Sequence, residues 1–471
     1  MKLLTICFLL MLTACSQRQE VEVEELQLAN SFVEQGNAAI DSNWWHSFNN
    51  DQLTLLVEQG LRDNLSLKAS DLRLKSSSID AQIAGADLNP DLRLFANASA
   101  PTDDLGTIKS ASVGISSSWE IDLWGRLAAN EEKAYWQYQG QQALHRARAN
   151  LVAGNITNAW FGIVSAQEKK QVLATQYQRT QDALIAISRR FALGKSSVTN
   201  IWQQQKLLKS IEVQQAKNLT ELSLNQQTLA LWLGIPTSKL ESIDFHLLPT
   251  LPETPEMGVP AEALKYRPDI EQALAKIKAA NENLSVAISA QYPRITLGAN
   301  YSTSKNNAQD LFDDWKGNLI ASLAMPLFDS GTTKNVVKQR KLELQALIFD
   351  YQRVWLEAIA SVDQVLINEA QLVKVSKNLI SQLDLAKRTE KLTMIKYLNG
   401  KADYIELLKA QESILSIEQQ VIDANKRLAT NRVLLYRELS HGYFIVVDDA
   451  EKNDVTNVNI SRAKRIKGTQ S

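Results

Sequence analysis

Cysteine is nearly absent from this chain: Cys7 and Cys15 are the only two among its 471 residues. The sequence after Cys15 has no thiol, which excludes a disulfide framework there. The four histidines and five methionines are scattered and have no ligand spacing for zinc or copper. The sequence therefore predicts no metal site.

The chain also lacks an excess of charge of either sign. It has 51 lysines and arginines against 52 aspartates and glutamates, so its charge gives no reason to expect a nucleic-acid partner. It has no phosphate-binding glycine loop and no nucleophile elbow, so we expect no catalysis and no cofactor. Apolar residues make up 45% of the chain and charged residues 22%, which excludes a disordered protein.

Long hydrophobic runs are absent as well, and this excludes a helical membrane span. The apolar segment from Leu3 to Leu12 is too short to cross a bilayer, and Leu12-Thr13-Ala14-Cys15 follows it, as in a bacterial lipoprotein signal. We predict a signal peptide at 1–14 and acylation of Cys15, which would anchor the chain to lipid. Ser16 follows the cysteine, as in lipoproteins exported to the outer membrane. The alternative is an ordinary signal peptide with an incidental Cys15.

A repeat organises the rest of the chain. The stretch from Arg190 to Lys195 returns in altered form from Lys396 to Lys401, and aligning Gly194 with Gly400 gives an offset of 206 residues. A gapless register held over the following helical run indicates a duplicated unit. We predict a lead at 15–60, a first repeat at 61–250, a second repeat at 251–440 and a tail at 441–471. We expect the paired tryptophans of the lead to pack against another element rather than to form a membrane-interface belt.

Each repeat has a pair of segments that alternate between apolar and polar residues. In the first repeat the alternation predicts a β-hairpin over 91–121. In the second it predicts a hairpin over 293–326, with a polar loop from Ser302 to Lys316.

Between each hairpin and the repeated turn lies a long helical run, 127–191 in the first repeat and 333–398 in the second. An unbroken helix of this size is about 95–100 Å long, far more than a globular core needs. Apolar residues then recur every seven positions, which is typical of coiled helices. They are Leu408, Leu415, Ile422, Ala429 and Tyr436.

Four strands per chain cannot close a barrel, and lipid does not tolerate an open sheet edge. The chain must oligomerise, be a water-soluble four-strand protein or lie outside the membrane. The lipoprotein signal and the long helices favour oligomerisation. Three copies would supply twelve strands, enough for an aqueous lumen.

Several motifs occur in a specific order along nearly all of the mature chain. They are Cys15, Trp44-Trp45 before Asp51-Gln52-Leu53, Trp119 to Gly125, Tyr266-Arg267-Pro268-Asp269-Ile270 and Pro326 to Gly331. In these motifs the chain resembles the TolC-like outer-membrane efflux proteins, and most closely their NodT-type lipoprotein branch, which serves resistance-nodulation-division pumps.

The resemblance implies a mainly α fold and a homotrimer. Twelve strands would form a β-barrel in the outer membrane, above a long periplasmic α-barrel. The partners implied are outer-membrane lipid, a periplasmic adaptor (membrane fusion) protein and an inner-membrane resistance-nodulation-division pump. The chain would be a passive exit duct for small molecules or drugs, without catalysis of its own. The alternatives are an exit channel for type I protein secretion and a periplasmic coiled-coil lipoprotein that forms no channel.

The resemblance also implies that helix tips near Gly194 and Gly400 close the channel. Tyr397 matches a gate tyrosine of the family, whereas Ala402 stands where some members carry a basic gate residue. Family members carry acidic residues at the positions of Glu406 and Lys409, so this chain would keep a weaker acidic ring made by Glu406. The further candidates at this mouth are Asp403, Asn200 and Gln203.

Local explanations compete with these gate roles. Asp403 and Glu406 have the spacing of a helix capping box. Lys409 is three residues from both Glu406 and Glu412, which is the spacing of a helical ion pair. Both glycines suit the left-handed position just past a helix end.

Overall fold

The structure is a computed structural model, and it describes residues 43–100, 110–240, 260–306 and 310–439, together with positions 32, 248, 251, 252 and 254. The predicted signal peptide, the lipid-anchor residue Cys15 and the predicted tail lie outside these ranges. Within them, no helix combines the length and the apolar character that crossing a membrane requires.

Helices dominate the described ranges, and four strands interrupt them there in two pairs. A short 3-10 helix, α1 (Trp44–Phe48), precedes α2 (Asp51–Asp63). The following elements are α3 (Leu65–Ala86), β1 (Asp91–Ser99), β2 (Ser110–Ile121), α4 (Arg126–Ala192) and α5 (Val198–Leu233). After residues 235–259, which we call the linker, come α6 (Pro260–Leu264), α7 (Pro268–Ser289), β3 (Arg294–Lys305), β4 (Lys316–Ala324), α8 (Thr332–Leu398) and α9 (Tyr404–Leu439).

The internal repeat is confirmed by equal element lengths. α3 and α7 each have 22 residues, α4 and α8 each have 67, and α5 and α9 each have 36. Both long helices are continuous, as the lack of proline between Leu127 and Phe191 and between Thr333 and Leu398 predicts. The exact limits of the two repeats stay predictions.

The strands form one antiparallel sheet in the order β1-β2-β3-β4, so the two hairpins lie side by side. The predicted start of the second polar loop is wrong, because β3 continues through Ser302 to Lys305. Ser302 and Ser304 belong to the polar face of the sheet, so their polarity does not mark the end of the strand. Between them Thr303 is buried and pairs with Val113.

The helices next to the sheet pack in the same order as the strands. α3 contacts α4, α4 contacts α7, and α7 contacts α8, so the helices that continue β1 and β4 lie at the two edges. Towards the far end, α5 packs on α4, and α9 packs between α4 and α8. The protomer is therefore a narrow wall of side-by-side helices.

The best-packed part of the wall lies halfway along it. Trp44, Trp45 and Phe48 are at most 2% exposed and pack into the middle of α4 and the end of α9. The Trp44 ring stacks on Tyr436 at 5.8 Å between centroids, and its Nε1 donates to Asn150 Oδ1 at 3.1 Å. The predicted packing role of the tryptophan pair is therefore confirmed.

A buried ion pair joins α8 to α9 in the same region. The Glu369 carboxylate accepts hydrogen bonds from Arg432 and, at 2.7 Å, from Asn431 Nδ2, and both charged side chains are about 5% exposed. Arg432 also donates to the carbonyl of Pro252 and to Thr254 Oγ1. The pair thus ties the linker between the repeats to the helical wall.

A second arginine explains one of the sequence motifs. Arg267, which precedes α7, donates to both carboxylate oxygens of Asp269 at 2.8 and 3.1 Å. It also donates at 2.7 Å to the carboxylate and to the carbonyl of Glu438, near the end of α9. The motif around Pro268 therefore fixes the start of α7 against the end of the last helix.

We predict that Glu369→Leu or Arg432→Met alone lowers stability by about 3–5 kcal/mol, because each leaves a buried charge without its partner. The double variant Glu369→Leu with Arg432→Met removes both charges and is expected to lose much less. Thermal unfolding of the detergent-purified protein, followed by circular dichroism, compares the variants. Losses that simply add in the double variant would show that the two side chains are not coupled.

Candidate functional site

The sheet has one apolar and one polar face, and its apolar face is exposed. The strand register places the apolar residues of all four strands on the same side. This face carries Leu92, Leu94, Val113, Ile115, Leu297, Tyr301, Leu319 and Leu323. Leu94 is 78% exposed and Leu319 is 89% exposed. A sheet in water would cover such a surface, so its exposure indicates an apolar surrounding.

The opposite face of the sheet is mostly polar. It carries Arg93, Asn97, Ser112, Ser116, Glu120, Thr296, Asn300, Lys316 and Asn318. Phe95 and Ile320 are its large apolar residues. This distribution is that of a strand set with lipid on one side and water on the other.

Aromatic side chains mark both ends of the apolar face. At the helix end, Trp124 stacks on Tyr292 at 4.8 Å and donates from Nε1 to the Pro293 carbonyl at 2.8 Å. At the loop end, Tyr301 stacks on Trp315 at 5.1 Å. From Tyr292 to Tyr301 a strand rises about 30 Å, which corresponds to a band of about 25 Å once the strands tilt.

The far end of the wall consists of two tight turns. Gly194 and Gly400 have φ angles of 70° and 71°, in the left-handed region that glycine adopts without strain. Just after them, Lys195 N donates to the Arg190 carbonyl and Lys401 N to the Lys396 carbonyl, both at 2.8 Å. These bonds satisfy carbonyls at the ends of α4 and α8, as in a Schellman motif. The role of the two turns as channel tips stays a prediction.

A polar contact lies buried just above the turns and joins α4, α5 and α9. The Tyr404 hydroxyl donates to Gln204 Oε1, and Gln204 Nε2 donates to the Thr180 carbonyl at 2.9 Å. Gln204 is fully buried, and burial raises the pKa of the Tyr404 phenol, which therefore stays a hydrogen-bond donor at physiological pH. The surrounding side chains are Leu173, Ile187, Leu207, Ile211, Leu408 and Leu415.

Gln204 and Tyr404 are not among the site residues predicted from the sequence. Both lie in apolar stripes: Gln204 is three and seven residues before Leu207 and Ile211, and Tyr404 is four before Leu408. The helical spacing alone could have found them as buried polar residues. Their pairing across 200 positions could not be found from local patterns.

Tyr397 lies beside this contact. Its ring is half-buried, 5.6 Å from the Tyr404 ring, and the Arg190 guanidinium carbon lies 5.0 Å from its centre. The cation and the ring face attract each other. Tyr397 therefore links the two turns within one protomer.

The remaining gate candidates lie close to the two turns, in the helical hairpins formed by α4 with α5 and by α8 with α9. Asp403, Glu406 and Lys409 are exposed, whereas Asn200 and Gln203 are half-buried. No ion pair of Lys409 with Glu406 or Glu412 occurs among the described residues, and the alternative pairing of this lysine stays a prediction.

Two further contacts concern these candidates. Glu406 N donates to the Asp403 carbonyl at 3.2 Å in the first turn of α9. Asn200 Nδ2 donates to Ser196 Oγ at 3.2 Å. The gate roles stay predictions. In the described ranges there is no group of three or more histidine, cysteine, aspartate or glutamate side chains placed to hold a metal ion.

Comparison with known proteins identifies relatives along almost the whole chain. The family model described as outer membrane efflux protein matches residues 56–235 and 259–440. The chain is 24% identical to the cation efflux system protein CusC of Escherichia coli O6:H1, covering 94% of this chain and 99% of that protein. It is 26% identical to the pyoverdine export outer membrane protein OpmQ of Pseudomonas aeruginosa, over 85% of this chain and 87% of that protein.

The fold is also similar to that of a solved structure. The structure of the outer-membrane channel OprN superposes with a TM-score of 0.84 at 19% identity, over 91% of this chain and 99% of that one. The similarity therefore extends over the strands, the long helices and both turns.

We predict that Tyr404→Phe loosens the end of the wall, because it leaves the buried Gln204 oxygen without its donor at a cost of about 1–3 kcal/mol. Hydrogen exchange should become about tenfold faster or more in both turn regions and stay unchanged around Trp44. Tyr397→Phe is the matched control, because no hydrogen bond of the Tyr397 hydroxyl occurs among the described residues. Equal effects of the two substitutions would contradict the role of the Tyr404 contact.

Proposed function

The chain belongs to the outer membrane efflux protein family, and on this basis we propose that it is the outer-membrane channel of a tripartite efflux system. It is a passive exit duct for small molecules, and it carries out no reaction. The observation that carries the proposal is the bare apolar face of a four-stranded sheet whose strands continue into a helical wall of the same order. A coiled-coil lipoprotein without a channel has no use for such a sheet.

The working unit of the proposal is a homotrimer. β1 and β4 form the two edges of the described sheet, and their edge backbone groups need hydrogen-bond partners in lipid. If β4 of one copy pairs with β1 of the next, three copies close a barrel of twelve strands. Two copies would give eight strands, whose side chains fill the interior. Three is the smallest number that leaves a lumen.

The edge helices support the same assembly. On α3, Leu65, Leu72 and Ile79 recur every seven residues and are more than half exposed. On α8, Leu342, Phe349 and Leu356 also recur every seven residues and are more than half exposed. Stripes with this period on two neighbouring helices pack together as coiled coils do. Each chain thus offers one stripe at each edge, so neighbouring copies can pair them.

The heights of the two stripes also match. Leu72 lies 14 residues before the end of α3, about 21 Å, and Phe349 lies 17 residues after the start of α8, about 26 Å. Both helix ends adjoin the sheet, so these two residues lie at similar distances from it.

The position of the channel follows from its two ends. The sheet spans the outer membrane with its apolar face towards lipid and its polar face towards the lumen, and the helices extend into the periplasm. Cleavage after residue 14 and acylation of Cys15 add a lipid anchor. The helix tips meet a periplasmic adaptor protein, which connects the channel to an inner-membrane resistance-nodulation-division pump. Glu406 and the other gate candidates lie at this end.

Deletion of the gene should raise susceptibility to at least one class of small toxic molecules several-fold in a broad panel, because the exit duct is lost. The wild-type gene should restore growth. Leu94→Arg should not, since a charge on the lipid face costs about 2–4 kcal/mol near the membrane centre. Asn97→Arg, on the polar face of the same strand, is the matched control and should restore growth. A deletion strain with an unchanged panel would contradict the proposed function.

Cysteine cross-linking tests the assembly. With Leu72→Cys and Phe349→Cys in one chain, oxidation should give disulfide-linked trimers, because the two residues lie on opposite edges of a protomer and at similar heights. No other native cysteine competes in the reaction, since Cys15 is the only cysteine left after the signal peptide. Leu65→Cys with Leu342→Cys is the control, because these positions differ in height by about 16 Å. Equal cross-linking of both pairs, or of neither, would contradict the predicted register.

A further inference from the structure

Basic residues are concentrated around the two turns. We call residues 183–211 and 391–411 the basic band. The first range has five basic side chains and no acidic one, and the second has four lysines and two acidic residues. Four acidic residues directly adjoin the ends of the two ranges: Asp182, Glu212, Glu390 and Glu412. The basic residues are Arg189, Arg190, Lys195, Lys206, Lys209, Lys391, Lys396, Lys401 and Lys409. The band therefore has a formal net charge of +7, which falls to +3 when the four adjoining acidic residues are included.

This charge is segregated from the rest of the chain. The whole protein has a net charge of −1, so the residues outside the band sum to −8. Every basic residue of the band lies within 15 residues of Gly194 or Gly400, which is about 22 Å along a helix. The positive charge is thus a property of one end of the wall.

The basic side chains of the band are exposed, and few of them form an ion pair in the described part of the chain. Eight of the nine basic side chains are exposed, and Arg190 is half-buried against Tyr397. Among the described ion pairs only Lys209 has an acidic partner, Glu212 at 2.8 Å, just outside the band. The two acids of the band, Asp403 and Glu406, form no ion pair in the described part of the chain.

Assembly would multiply this charge. In the proposed trimer, three bands bring a formal net charge of +21 to one opening, or +9 when the adjoining acidic residues are included. The Debye length is about 8 Å at physiological ionic strength, so solutes passing through a narrow opening stay within reach of the wall charges. Rings of like charge in a pore attract the opposite ion and repel their own kind. The acidic ring predicted at Glu406 lies within this band, where basic residues outnumber acids nine to two.

From this distribution we infer that the periplasmic mouth attracts anions, and that the cargo of this channel is a class of small organic anions. This inference rests on the proposed function, because it assumes that solutes enter the lumen past the tips. It gives the mouth the opposite sign to an acidic gate. An acidic protein surface docking on the outside of the tips is the competing use of the same charges.

Ion selectivity of the channel alone tests this inference. The purified full-length protein is placed in a planar bilayer with a tenfold potassium chloride gradient, without any partner protein. The reversal potential should have the sign of chloride preference. Lys195→Gln with Lys401→Gln removes one exposed charge after each turn and should lower the anion-to-cation permeability ratio about twofold or more. Raising the salt to 1 M should weaken the preference.

The control removes the same charge elsewhere. Arg62→Gln with Lys68→Gln lies near the middle of the wall and should leave the ratio unchanged. Cation preference in the wild type, or a ratio that the band variant does not alter, would overturn the inference and leave the proposed function intact. Absence of any conductance would instead overturn the proposed function, and the inference with it.

Trp202 reports the local potential independently of conduction. It lies in the band on α5 and is 63% exposed. Its fluorescence, taken as the difference between wild type and Trp202→Phe, should be quenched more by iodide than by caesium. Lys206→Gln, one turn further along α5, should reduce the iodide effect. Strong iodide quenching without anion selectivity would overturn the inference in favour of the external docking surface.

Discussion

Unpaired backbone groups at a sheet edge are the constraint on which the rest of this structure depends. In lipid no water is available to satisfy the N–H and C=O groups along β1 and β4. The apolar face of the sheet suits lipid, whereas its edges do not. Pairing edge to edge with further copies satisfies both requirements. In the proposed channel the chain is therefore a segment of a closed wall and not a self-contained domain.

The helices keep the side-by-side order of the strands over a length of roughly 100 Å. Helices of 67 residues cannot fold back on a compact core, so they pack in the strand order and leave apolar stripes at both edges. Stability inside one protomer is concentrated halfway along the wall, where Trp44 packs on Tyr436 and Arg432 pairs with Glu369. The lead and the linker both attach there.

Features governed by local periodicity could be predicted from the sequence. Period-two alternation predicted both hairpins, seven-residue spacing predicted the coiled helices, and the offset between Gly194 and Gly400 predicted the repeat. Polar pairings between distant residues could not be predicted. A helical pattern places Gln204 on a buried face, but it does not say that Tyr404 is its donor.

The same limit applies to Glu369 and Arg432, which are 63 residues apart. The gate roles of residues at the tips depend on contacts between neighbouring copies. The pattern of a single sequence does not show such contacts. The basic residues of the band can be counted in the sequence. Their combined charge at one opening depends on the two turns lying together at one end of the wall.

The mass of the particle tests the central claim most directly. Native mass spectrometry of the mature, acylated protein, released from a mild detergent, counts the chains in each particle. The account predicts three chains and no stable population of single subunits. A monodisperse single chain, with its sheet folded and stable on its own, would contradict it.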